Sequence, residues 1–448
     1  MTNALRCFRP LLVPLAVSVV LAGCASYRAR PLVLAPPLRT SLAALDRALP
    51  DGRMIAVDAP LTPQAVAALA VLNDPALAAA RARLGVERAK VFAAGLIPDP
   101  NVQGGFGALL GGPGVAPSVA GSITQDIAAL ITRGARVRAA RARQGEAVAA
   151  MLWQEFQVAS QAETLASALW ADRAGLAALD RARAALRAQG EAARRQVAAG
   201  AVTLDQASAA EASLAGLDAT RDGLAQQDLT DRAALAALLG VVPDVSIRLA
   251  RPVIPRVATD GLVASLADRR PDLIALRYGY QAADADLRAT ILAQFPLLAL
   301  SVNGGSDTSQ VATAGPTISL NLPVFNGNRG NVAVARATRR QLDAAFTAAL
   351  AAAQGGALAA RRALGVLDRQ REAARVRVRL ADRAVRVARG PYRAGLIDAR
   401  VETDLIDQQA LRRAELIALD QKIAAGRIAL ATLLGAGLPV VSIRGAAR

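Results

Sequence analysis

The apolar positions of this chain follow two different periods. From Leu165 onward, leucines return at Leu169, Leu176, Leu179 and Leu186, in steps of three, four and seven that place them on one stripe of a helix. The same spacing recurs at Leu416, Leu419, Ile423, Leu430 and Leu434. Between these stretches, "TISLNLPVF" alternates strictly. Ile318, Leu320, Leu322 and Val324 fall on one face and Ser319, Asn321 and Pro323 on the other, the period of a strand with one oily and one wet side. Its partner is "LLALSVNGG", with a turn between them over 306–314. An earlier glycine-rich pair, "NVQGGFG" and "SVAGSITQDI" around "GGPG", reads as a second hairpin with weaker alternation.

The helical text is unusually long. No proline interrupts 118–242 or 324–390. Residues 132–198 as one helix would reach roughly 100 Å at 1.5 Å per residue. Such a helix cannot bury its own apolar stripe and needs neighbours, from its own chain and from other copies. Shorter helices are expected over 75–96 and 271–294, stopped by Pro98 and Pro296.

These elements are written twice. "LAALLG" ending at Gly240 returns as "LATLLG" ending at Gly435, and "VSIR" from Val245 returns from Val441. "DPALAAAR" ending at Arg81 matches "RPDLIALR" ending at Arg277. "VAAGAVTLDQ" around Gly200 matches "YRAGLIDARVETD" around Gly395. An offset of 195 or 196 residues held over this length is an internal duplication. Each unit runs short helix, β-hairpin, long α-hairpin. Gly200 and Gly395 are the expected hairpin tips: glycine accepts the left-handed conformation that ends a helix, and an aspartate soon after favours the next helix's N-terminus. Pro391, with Gln196 at the matching place, is expected to kink or end its helix early. The boundaries that follow are a leader over 1–23, an extended proline-rich tether over 24–60, a first repeat over 61–248, a linker over 249–260 and a second repeat over 261–444.

Composition narrows the chemistry. Aromatics make up 3% of the chain and histidine is absent, which excludes imidazole bases and His-ligated metals; no catalytic constellation appears and no enzyme is expected. The net charge of +17 is carried by arginines spread through alanine-rich helical text, a pattern of solvated helix faces and not of a nucleic-acid site. At the N-terminus Arg6 and Arg9 precede an apolar run, Leu11 to Leu21, of signal-peptide length, ending in "LAGC". Small residues before a cysteine suit peptidase cleavage and thioether lipidation of Cys24. Cys7 would leave with the leader, so no disulfide is expected, and covalent lipid on Cys24 is the only cofactor-like group. No later apolar run of about 18 residues is expected to span a membrane.

A lipobox-like "LAGC", then helix, β-hairpin and long α-hairpin, all duplicated, with "YRAGLID" and two "LLG" endings, resembles the TolC family of outer-membrane efflux channels, and among them the lipoprotein members. The resemblance covers about residues 61–444. It implies a mainly α protein with a membrane β-barrel: a homotrimer whose four strands per copy form a twelve-stranded barrel, continued by an α-helical periplasmic tunnel. Four strands cannot close alone and an open edge is not tolerated in lipid, so closure calls for other copies. The resemblance further implies a passive conduit for small solutes, anchored in the outer membrane, with a periplasmic adaptor, an inner-membrane pump and outer-membrane lipids as partners, and no nucleic acid.

The family carries gating aspartates near the second tip. Counted from Gly395, one of them falls on Asp404, one turn after Arg400, with Asp398 close by; the other falls on Val401, so that acid is missing here. Two readings of Asp404 stand, a gate acid or a surface acid paired with Arg400 at i, i+4. Two alternatives to the channel stand beside it. A lipid-anchored periplasmic adaptor or coiled-coil scaffold would have one α-hairpin flanked by β domains, not two hairpins each preceded by a membrane-type strand pair. The other is a dedicated metal exporter: no histidine and only three methionines argue against a metal relay, but the channel part of such a system need not bind metal.

Overall fold

The computed structural model describes residues 27–441 apart from 33, 35–37, 112–113, 115, 201–203, 260, 296, 322–324 and 395. Residues up to Leu38 form one unit, without helix or strand among its described residues; Arg39 onward forms the other.

In the second unit the first copy of the duplicated order begins with α1 (Pro63–Asn73) and α2 (Pro75–Gly95). It continues through β1 (Asn101–Gly107), β2 (Ser118–Asp126), α3 (Ile127–Ala198) and α4 (Leu204–Leu239). The second copy is α5 (Leu266–Arg269), α6 (Pro271–Leu292), β3 (Leu297–Ser306), β4 (Ala312–Asn321), α7 (Arg329–Arg393) and α8 (Ala399–Leu434). Matching residues do matching work. Arg81 donates to the carbonyl of Val71 (2.7 Å) and Arg277 to that of Ala267 (3.1 Å), each tying its helix to the short helix before it. Gly240 and Gly435 both hold positive φ, 64° and 60°, at the ends of α4 and α8. Only glycine takes this conformation without cost, which is why "LLG" is written twice.

The strands form one antiparallel sheet in the order β1-β2-β3-β4, so β2 and β3 join the two repeats and β1 and β4 are open edges. The helices pack as a row. α3 lies against α4 and α8, and α8 against α7, leaving α4 and α7 at the two ends; toward the sheet α2 and α6 take their places beside α3. At 72 residues α3 is about 108 Å long, and the 65 residues of α7 come close to that. Burial sits between the helices. Leu69, Leu169, Leu235 and Leu239 form a core in the first repeat, and Leu266, Leu273, Leu430 and Leu434 its counterpart in the second. Nearer the tips Leu179, Leu186, Leu217, Val385 and Ile406 share a third cluster. Each such leucine contributes roughly 1.5–3 kcal/mol by leaving water.

Four expectations change. The tether of 24–60 is folded from residue 39: Leu45 and Ile55 are buried against the first-repeat core, because the apolar residues of this segment lie over a face that α1, α3 and α4 leave open. Pro391 does not shorten its helix. It lies in the last turn of α7, which ends at Arg393, the counterpart of Ala198, and a proline there removes only one hydrogen bond from the ladder. Each short helix also has a partner unread in the sequence, α1 before α2 and α5 before α6. Lastly, α7 is long and apolar enough by composition to cross a membrane, as is the bent pair α1 and α2, but in α7 that apolarity is alanine on a solvent-facing helix. Leu322 and Val324 lie outside the described residues.

Candidate functional site

The sheet has two chemically distinct faces, set by its register. Val102, Ile123 and Val302 stand in one cross-strand row, Phe106 pairs with Val119, and Leu300 pairs with Ile318; all are exposed. On the opposite face Gln103, Ser122 and Asn303 form one row and Thr124, Ser301 and Thr317 another. This polar face bonds to itself: the Thr124 and Ser301 hydroxyls meet at 3.0 Å, and the Asn303 amide donates to the Thr317 hydroxyl at 2.6 Å. The strands carry one titratable side chain, Asp126, which caps α3 by accepting from the backbone N–H of Ala129 (3.0 Å). One face therefore suits hydrocarbon and the other an uncharged aqueous path.

At the opposite end of the helices, Gly200 has φ of 71° between α3 and α4, and its N–H bonds the carbonyl of Val197 (2.9 Å). Gly395 lies outside the described residues. Asp398 caps α8, its carboxylate accepting from the N–H of Arg400 (3.1 Å). Asp404 and Arg400 are both exposed and form no ion pair with each other among the described residues. Asp404 still acts on its surroundings: burial first, then the Asp404 charge, pushes the Asp407 carboxyl up.

The residues beside Asp404 form a clamp that the sequence reading missed. Glu402 and Thr403 are buried, the Gln189 amide donates to the Glu402 carboxylate (2.8 Å), and the Thr403 hydroxyl donates to the Gln189 carbonyl (3.1 Å). Near it the Tyr392 hydroxyl is pushed up by burial and by the charges of Glu402 and Asp398. α3 and α8 are thus joined by polar groups close to the tips. A clue lay in the text: Thr403, Ile406 and Ala410 share one buried stripe at steps of three and four, and the first of them is polar.

Midway along α3, Asp172 is buried beside Asp228 and Asp231 of α4. Its carboxyl is pushed up to about 6, by burial first and then by these two charges. Arg232 and Arg173 turn instead to Asp228, at 2.6 and 3.9 Å. Among the described residues no group of three or more His, Cys, Asp or Glu is arranged to hold a metal. Cys24 lies outside the described residues.

Residues 262–436, most of the second repeat, match the family described as Outer membrane efflux protein. Among curated proteins the chain is similar to the outer membrane protein OprJ of Pseudomonas aeruginosa, 27% identical over 158 residues, 33% of each chain. It is also similar to the pyoverdine export outer membrane protein OpmQ of Pseudomonas putida, 33% identical over 184 residues, 38% of this chain and 39% of that one. The matched stretches thus span between a third and two fifths of these relatives. Among solved structures the fold is similar to CusC, described as forming a transmembrane channel, with a TM-score of 0.72 at 16% identity over 90% of this chain and 100% of that one.

Proposed function

We propose that this chain, a member of the TolC family of outer-membrane efflux channels by its second repeat and its fold, is the outer-membrane exit conduit of a tripartite efflux system. It acts as a transport duct and not as an enzyme. Small solutes reach it from an inner-membrane pump through a periplasmic adaptor, and the energy is spent in the pump. The observation that carries this reading is the two-faced sheet with both edges open. An apolar face, an uncharged polar face and unpaired strands at β1 and β4 make sense only when the sheet closes into a barrel with other copies. Three copies supply twelve strands, an even number within the range of bacterial barrels.

The helices support the same closure. α4 and α7 end the row on opposite sides and differ in charge: α7 has fifteen arginines against four acids, α4 six acids against two arginines. α7 also exposes Val366, Leu380 and Val387, with Ala373 completing a stripe at seven-residue steps. A head-to-tail ring sets this edge against α4 of the next copy and closes at three. Lipid on Cys24 anchors the chain to the membrane. At the far end, three copies of Asp404 narrow the mouth, unpaired with Arg400, while Asp398 holds the start of α8 and the turn at Gly200 reverses the chain between α3 and α4.

The test is reconstitution of the full-length protein in planar bilayers beside its mass in detergent. The expected result is a three-chain particle that conducts, with lipid on Cys24 by mass spectrometry and a changed conductance in Asp404→Ala. A monomer that folds without conducting sinks the channel reading. An intact conducting trimer in which Asp404→Ala changes nothing removes only Asp404 from the gate.

A further inference from the structure

The phenylalanines of this chain avoid the strands. Among the described residues Phe106 is the only one in the sheet, yet three others lie where strands give way to helices. Phe92 is in the last turn of α2, Phe295 between α6 and β3, and Phe325 between β4 and α7; they are 71%, 62% and 98% exposed. Leu96, Ile97 and Ile131, also exposed, accompany them. These sites are on one rim. The register brings the start of β1, the end of β2, the start of β3 and the end of β4 to the same edge of the sheet: Asn101 faces Thr124, Asp126 faces Ala299, and Leu297 faces Asn321. Hydrogen bonds tie the crossovers together there. Arg133 donates to the carbonyl of Gly95 (2.8 Å) and Gln125 to that of Pro98 (3.0 Å) in the first repeat. In the second, Gln294 donates to Gly327 (2.8 Å) and Asn328 to Thr290 (3.0 Å).

Just beyond these apolar groups the same rim is basic. Arg88 and Lys90 of α2, Arg133 and Arg136 of α3, Arg288 of α6, and Arg329 and Arg336 of α7 are exposed. All lie within roughly 15 Å of the sheet-side ends of their helices at 1.5 Å per residue. Of the acids nearby, Glu87 offsets Lys90 (2.8 Å), Asp284 and Asp286 pair with Arg339 and Arg143 deeper in the helices, Asp126 is used as a cap and Asp99 remains, so the six arginines of the rim outnumber the acids left to meet them. Three copies multiply the collar. Aromatic rings at the depth where hydrocarbon ends, followed by guanidinium groups at the depth of phosphates, complement one surface, the headgroup layer of a leaflet with negative charge.

We infer that this rim binds anionic phospholipid headgroups of the leaflet facing the helical body, the arginines holding phosphate and the exposed phenylalanines entering the acyl boundary. The inference rests on the membrane channel reading and adds a lipid preference to it. It also accounts for aromatic-poor strands, since the girdle is carried by the crossovers.

Full-length protein is placed in nanodiscs of phosphatidylcholine with and without phosphatidylglycerol, and the lipids retained on partial delipidation are counted by native mass spectrometry. The wild type is expected to retain phosphatidylglycerol several-fold over its share of the bilayer, and high salt is expected to abolish that excess. Arg133→Gln, Arg136→Gln, Arg329→Gln and Arg336→Gln together should bring it to parity, while lysine at the same four places keeps it. Parity in a wild type that inserts and conducts overturns this inference and leaves the channel standing, as does an excess indifferent to salt. Failure of the wild type to insert in either lipid overturns both.

Discussion

Asp172 shows how one residue reports on its surroundings. A carboxyl pushed up to about 6 binds its proton more firmly in the folded protein than in the unfolded chain. Its ionisation therefore costs the fold. The penalty is absent below the ordinary carboxylate range and complete above pH 6, so stability falls as pH rises between them. Asp172→Asn removes the penalty, and the variant should exceed the wild type by roughly 1–3 kcal/mol at pH 8. Near pH 4 the advantage should vanish. Guanidinium unfolding followed by helical circular dichroism at the two pH values measures it, and an advantage independent of pH would mean the asparagine acts through packing. Nothing in the sequence marked Asp172, because its burial and its acidic neighbours come from α4, more than fifty positions away.

Between residues and the whole lie the elements, and here the sequence was most readable. Helix stops are local: proline before the strands and glycine in the left-handed conformation at Gly240 and Gly435 are decided by the residue itself. Gly435→Ala should cost about 1–2 kcal/mol from backbone conformation alone. An added methyl would also stand 3.4 Å from the side chains of Arg269 and Arg270. Gly85→Ala, inside α2 with open space around it, should be neutral or stabilising by up to about 1 kcal/mol. Thermal unfolding of the two variants side by side checks the pair, and equal loss in both would refute the capping account. The clamp near the tips was unreadable for the opposite reason. Gln189 and Glu402 are 213 positions apart, and their pairing exists only because α3 and α8 pack. The folded start of 39–57 was hidden likewise, since its partners are helices that begin later in the chain.

At the scale of the whole molecule, the two copies are alike in order and unlike in surface. α7 is strongly basic and studded with exposed valine and leucine, whereas the matching α3 is buried between neighbours. This inequality gives the protomer two different sides, as the proposed ring requires. If the ring closes at three as proposed, Leu380→Asp with Val387→Asp should shift the particle from trimer to monomer while helix content is kept; a trimer that survives both places the seam elsewhere. The sheet's middle pair also dictates a timetable. Val119 of β2 faces Ser306 of β3, and Asp126 faces Ala299, so the central hydrogen bonds join segments separated by most of a repeat. The helical hairpins are local and can form while the chain is being made, but the β2–β3 pairing must await Leu297–Ser306 and then a costly loop closure. Until that moment β2 offers an unpaired edge beside its exposed apolar face, and a holding chaperone that recognises short oily segments should find β1 and β2 first.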